Sequence, residues 1–132
     1  MRFLQKFFVP VALLLLLLFL LGLGWGMIKI LEKSAATLLQ STKKVESLVH
    51  NYNWSEAEKA FRQTEKEWAR TRQYWPLLIH HQEMDRIEEC MGKIKSYLHH
   101  EDSSNTLAEI YVLTSYIKHI PENKTLNLQN VF

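Results

Sequence analysis

Residues 7–28 of this chain read FFVPVALLLLLLFLLGLGWGMI, with no charge between Lys6 and Lys29. At about 1.5 Å rise per residue, about 22 helical residues reach about 33 Å, enough to cross a hydrocarbon core of about 30 Å. In lipid the backbone polar groups have to be satisfied within the segment, so a lone span is helical. Pro10 falls in the first turn of that stretch, where a missing N–H costs little. The competing reading is a cleaved signal peptide, whose apolar region is usually about 7 to 15 residues and ends at a small-residue cleavage site. No Ala-x-Ala and no lipobox cysteine follows the run, so an uncleaved anchor is the expectation.

Basic residues flank the span on both sides, Arg2 and Lys6 before it and Lys29, Lys33, Lys43 and Lys44 after it. Their near balance leaves orientation to the short amino-terminal tail, which favours a cytoplasmic amino end and an extracytoplasmic carboxyl-terminal domain. The expected location is the cell membrane, as a single-pass protein. Gly22 and Gly26 form a GxxxG pair, a pattern that lets two spans approach as a dimer contact, although glycine is also simply frequent in membrane helices. Trp25 suits the interfacial belt.

Arg2, Lys6 and Lys29 are 3 of the 16 basic residues and Glu32 is 1 of the 14 acidic ones, so 13 of each remain in the rest of the chain. A balanced surface carries no electrostatic footprint for nucleic acid. Cys90 is the single cysteine, which excludes an intrachain disulfide and a thiolate zinc site.

After the span the apolar positions recur at alternating intervals of three and four: Ile28, Leu31, Ala35, Leu38, Thr42, Val45, Val49 and Tyr52. That is one helix face, and it begins inside the span, so the anchor helix is predicted to continue out of the membrane without a joint. Asn51 to Asn53 interrupt it, and Asn53 with Glu56, or Ser55 with Glu58, offers a capping box for the next helix. Trp54, Phe61, Trp68 and Trp75 then recur every seven residues as an aromatic ridge, read first as core and second as a ligand wall. At Pro76 the stripe changes phase to Leu77, His80, Met84, Ile87, Met91, Ile94 and Leu98. Two architectures fit: a long helix kinked near Pro76, or a reversal there giving a four-helix up-down bundle. No Gly, Asn, Asp or Ser lies between Gln73 and His80 to make a turn.

The polar run His99–Asn105 separates a last helix, with Thr106 and Glu109 as its capping box and Pro121 as its stop. The fold class is thus all-α, a single N-terminal transmembrane helix continuing into an antiparallel helical bundle. Its parts are a flank at 1–6, the span at 7–28, and a helical domain at 29–121 with helices about 28–50, 54–75, 76–100 and 104–120. The tail at 122–132 is expected to pack on the bundle through Leu126, Leu128, Val131 and Phe132.

Several segments together carry a family resemblance: Asn53-Trp54-Ser55-Glu56-Ala57, Trp68 with Trp75, Leu78 to Asp85, Ile117-x-x-Ile120-Pro121-Glu122, and the ending Leu126-Asn127-Leu128-x-Asn130-Val131-Phe132. The chain resembles the bacterial family called domain of unknown function 4363 over nearly its whole length. The resemblance implies a short, membrane-anchored, helical protein of Gram-positive lineages, with no activity attached. The family's single histidine matches His81, followed by Glu83, whereas His80 and Pro76 depart from its pattern.

The strongest candidate for chemistry is His80, His81 and Glu83, with Asp85 nearby. His80 and Glu83 share a helix face, and with His99 or His100 folded back they would offer nitrogen and oxygen ligands to a metal. Against this, adjacent histidines on a helix point about 100° apart, and no His-Glu-x-x-His pattern is present. The simpler reading gives His80 a core position and His81 a neighbouring carboxylate. Cys90 lies beside the apolar stripe among carboxylates and reads as buried and inert. No serine nucleophile motif or phosphate loop occurs. The expectation is a non-enzymatic, membrane-anchored interaction or structural module without cofactor, partnered by the lipid bilayer and by a second copy or another membrane protein. The alternative is an extracytoplasmic ligand- or metal-sensing domain using the tryptophan ridge or the His81 cluster.

Overall fold

The computed structural model describes residues 2–129, with the side chains of 2, 5 and 125–129 outside the description. α1 spans Arg2–His50, α2 Trp54–Thr71, α3 His81–His99 and α4 Ser103–Gln129, and a 3-10 turn, Trp75–Leu77, lies between α2 and α3. The helices form a ring in chain order, closed by α1 against α4. α1 leads away from the apolar end, α2 returns, α3 leads away again and α4 returns. Cross-links between helices record these directions. Trp75 Nε1 donates to Ser34 Oγ at 2.8 Å, Ser41 and Thr64 share a hydroxyl–hydroxyl bond, and Lys95 meets Glu65 at 2.9 Å.

α1 is one helix with two environments. Leu13 to Leu20 are each 52–62% exposed, while Leu31, Ala35, Leu38, Val45 and Val49 are buried on the part of the helix that packs on α2 and α4. The three-four stripe of the sequence is therefore the core-facing line of α1, and it passes out of the apolar half without a break. α1 begins at Arg2, so Pro10 sits in its interior rather than in a first turn. The carbonyl left without its donor is that of Lys6, at the charged end of the helix where water can satisfy it.

The core is contributed by all four helices. Phe61 and Trp68 of α2 share one buried cluster with Ile87, Met91, Ile94 and Leu98 of α3 and Ile110, Leu113, Ile117 and Ile120 of α4. No buried side-chain nitrogen or oxygen among the described residues lacks a hydrogen-bond partner. Packing of this kind, rather than helix propensity, is what stabilises helices of this length.

Pro76 marks a reversal, so the described residues form a bundle of four helices and the kinked-helix alternative falls. α2 ends at Thr71 and not at 75, and α3 begins at His81 and not at 76. The turn needs no glycine because none of its residues takes a positive φ, and its middle winds tighter than an α-helix. The N–H groups of Gln73, Tyr74, Leu77 and Leu78 reach back three residues to Arg70, Thr71, Tyr74 and Trp75. Pro76 fits at the start of the 3-10 turn, where its fixed φ is already suitable.

Both turns at the opposite end close as Schellman motifs. Tyr52 N–H bonds Val49 O and Asn53 N–H bonds Leu48 O; Glu101 N–H bonds Leu98 O and Asp102 N–H bonds Tyr97 O. Tyr52 (φ 54°) and Glu101 (φ 52°) take the left-handed position that glycine usually fills. A left-handed L-residue costs about 1–2 kcal/mol, partly offset by the extra chain entropy that glycine loses on folding, so Tyr52→Gly and Glu101→Gly should each stabilise by about 0.5–1 kcal/mol. A thermal melt of each variant checks this, and a lower melting temperature would contradict it.

The sequence-derived caps are replaced. Asn53 makes no side-chain cap, and Glu56 pairs with Lys59 at 3.0 Å instead. α4 is capped by Asp102, which accepts from the Asn105 N–H at 3.0 Å, and that bond holds its carboxyl below the usual range. α4 also runs through Pro121 to Gln129 rather than stopping. Ile117 and Ile120 hold the helix in the core just before the proline, and His119 meets Glu122 across it at 3.1 Å. The expected packing of the tail's Leu126, Leu128, Val131 and Phe132 lies outside the described residues.

Candidate functional site at the α2–α3 turn

His80 closes the turn in an extended conformation (φ −74°, ψ 146°) and stands at the N-cap of α3. Its backbone N–H donates to Glu83 Oε2 at 3.2 Å. Three-residue spacing thus brings the pair together as a helix start. His80 and His81 are both exposed, so the core position expected for His80 is not found; the phase change at Pro76 is completed by Ile79, which is buried instead. His99 and His100 end α3, about 18 residues or about 27 Å along the helix from His81, too far to join it. No three or more His, Cys, Asp or Glu side chains among the described residues group as metal ligands.

The aromatic ridge divides. Trp54 is half-buried at the far end, while Phe61, Trp68 and Trp75 are buried, and the rings of Trp68 and Trp75 meet edge to face with centroids 5.5 Å apart. Trp75 has no exposed surface. These rings are core and not a wall open to a ligand. Trp68 Nε1 donates to Glu88 Oε1 at 3.3 Å, and Arg72 Nε reaches the same oxygen at 2.9 Å. Ser34 and Glu88 are the polar partners that the sequence did not disclose. A three-four stripe shows which residues are inside and says nothing of which indole finds which hydroxyl.

Of the four neighbouring helix pairs α2 and α3 pack least closely, and between them lies a groove of about 460 Å³. Phe61 and Leu98 floor it, Arg62, Glu65, Lys95 and His99 wall it, and the Lys95–Glu65 ion pair crosses it. A Cβ on Gly92 would meet nothing there within 4 Å. At Gly22 and Gly26 an added Cβ likewise meets nothing from the chain itself, so both lie on open helix surface.

Cys90 is buried in α3. Desolvation first, and the neighbouring Glu109 carboxylate second, push its thiol up to about 11. At pH 8 the thiolate fraction is then about 100-fold below that of an ordinary thiol near 9. Alkylation of the folded protein should be slower by that factor than in denaturant, and comparable rates would contradict the burial.

The family model described as domain of unknown function (DUF4363) matches residues 25–131. The chain belongs to this family. The DUF4363 match takes in the end of the apolar helix, the whole bundle and the α2–α3 turn with His81 and Glu83. No curated protein and no solved structure matches the chain. Family membership therefore brings no activity to the turn, and its chemistry is that of the residues described above.

Proposed function

We propose that this DUF4363 protein is a single-pass membrane protein whose α1 carries a bundle rigidly at the bilayer surface, where the bundle acts as a non-enzymatic interaction or structural module. The observation that supports this reading most is the two-environment helix. One half exposes an unbroken leucine run that water disfavours, and the other half is an integral part of the core. With no hinge between them, the position of the span sets the position of the bundle. Trp25, with the Lys29 ammonium 5.5 Å from its ring, suits the interface at the end of the run. By the signal-anchor arrangement the amino end is cytoplasmic and the bundle extracytoplasmic. The open face at Gly22 and Gly26 offers a second span a close approach.

Crosslinking the intact protein in its native membranes tests the role. A discrete crosslinked species, with itself or with another membrane protein, is expected. A strictly monomeric protein would remove the interaction reading. Labelling Tyr52→Cys on intact cells with a membrane-impermeant maleimide tests the orientation, with reaction expected and protection contradicting it.

A further inference from the structure

We propose that the α2–α3 turn is a membrane-contact surface, with Leu77 seated among the lipid headgroups of the bilayer that α1 spans; this rests on the anchor reading above. Among the described residues, topology puts one inter-helix turn at the span's end of the bundle, residues 72–80, whereas the turns at 51–53 and 100–102 lie at the opposite end. That turn carries no charge from Gln73 to Ile79, reading QYWPLLI, and is bracketed by Arg72 and by His80 and His81. Connecting turns are ordinarily polar because they face water. The two far turns follow that rule with Asn51, Asn53, Glu101 and Asp102.

Within the apolar turn, Trp75 is turned fully inward, and its indole is pinned to Ser34 at 2.8 Å. Leu77 is turned outward and 84% exposed, more than any leucine of the span. Pro76 beside it is exposed as well. A single surface leucine is unremarkable by itself; its height above the membrane is what matters. Ser34 lies six residues beyond Ile28, about 9 Å along the axis of α1. The headgroup layer is about 5–7 Å deep on each side of the hydrocarbon core, and a modest helix tilt lowers one edge of the bundle further. The pinned turn is thus within side-chain reach of the headgroups. The anchor supplies the effective concentration, so this contact has only to orient the bundle and not to recruit it. A second copy or another protein would have to enter the gap between bundle and membrane to cover the same residues.

Spin labels at Leu77→Cys, Tyr52→Cys and Leu16→Cys, each in a Cys90→Ala background of the full-length chain, test this in phosphatidylcholine vesicles. Collision with a polar nickel complex and with oxygen reports depth. Leu77→Cys is expected to meet nickel severalfold less than Tyr52→Cys while remaining open to oxygen. Equal nickel access at positions 77 and 52 overturns the proposal. Shielding of position 77 from both reagents also overturns it, in favour of a protein partner. If position 16 itself reads as aqueous, the anchor reading has failed; if position 16 is in lipid and position 77 in water, only the present inference has.

Discussion

Trp75→Ala is expected to be the most damaging single substitution in the bundle. It removes the largest fully buried side chain, its edge-to-face contact with Trp68 and its bond to Ser34. Large-to-alanine changes of this kind cost about 3–5 kcal/mol, because the surroundings collapse only partly into the space left. A domain of this size has a total stability of about 5–15 kcal/mol, and each kcal/mol moves its melting temperature by about 4–8 °C, so a fall on the order of 20 °C follows. Trp75→Phe should retain most of the stability. Its ring fills much of the volume, and the Ser34 hydroxyl still bonds the carbonyls of Ile30 or Leu31 at 3.0 Å. Thermal melts of the full chain in detergent, followed by helical circular dichroism, check both. A Trp75→Ala melt within a few degrees of the parent would show that the turn is held by something other than this indole.

The second large effect is on location. Leu14→Arg together with Leu18→Arg places two charges on one face near the centre of the apolar half of α1. Each arginine costs about 2.5–3.5 kcal/mol at the centre of a span, and each lost leucine forfeits a few tenths more, so the pair removes about 6–8 kcal/mol of insertion free energy. The protein should move from the carbonate-resistant membrane pellet to the soluble fraction or be degraded. The bundle is built from residues beyond Ile28, and the substitution leaves its packing untouched. Full retention in the pellet would contradict a lone leucine-rich span as the attachment.

Periodicity carries far in this chain because helix faces are local. The line Leu31, Ala35, Leu38, Val45, Val49 and the line Met84, Ile87, Met91, Ile94, Leu98 are both buried as their spacing requires. The interruptions at 51–53 and 100–102 also fall where the stripes break. What misleads is the terminus chemistry. Both far turns put Tyr52 and Glu101 where glycine would announce a C-cap. The α2–α3 turn reverses the chain by winding tighter in its middle, so apart from Pro76 it shows none of the residues by which turns are recognised. Pro121, a stop signal in most contexts, is carried inside α4 because the isoleucines before it are locked in the core. The same logic governs the candidate site: His80 and Glu83 are neighbours as their spacing says, but their partnership is a backbone cap.

Read as a string of residues, the chain already specifies a greasy helix of membrane length, an all-helical body attached to it without a joint, and the identity of most core positions. These depend on composition and on intervals of three and four, which need no knowledge of the rest of the molecule. Whether Pro76 bends a rod or folds it back depends on which apolar faces find each other across tens of residues. Trp75 closing onto Ser34, 41 positions earlier, decides for reversal, and it is that closure which turns Leu77 outward at the end of the bundle nearest the span.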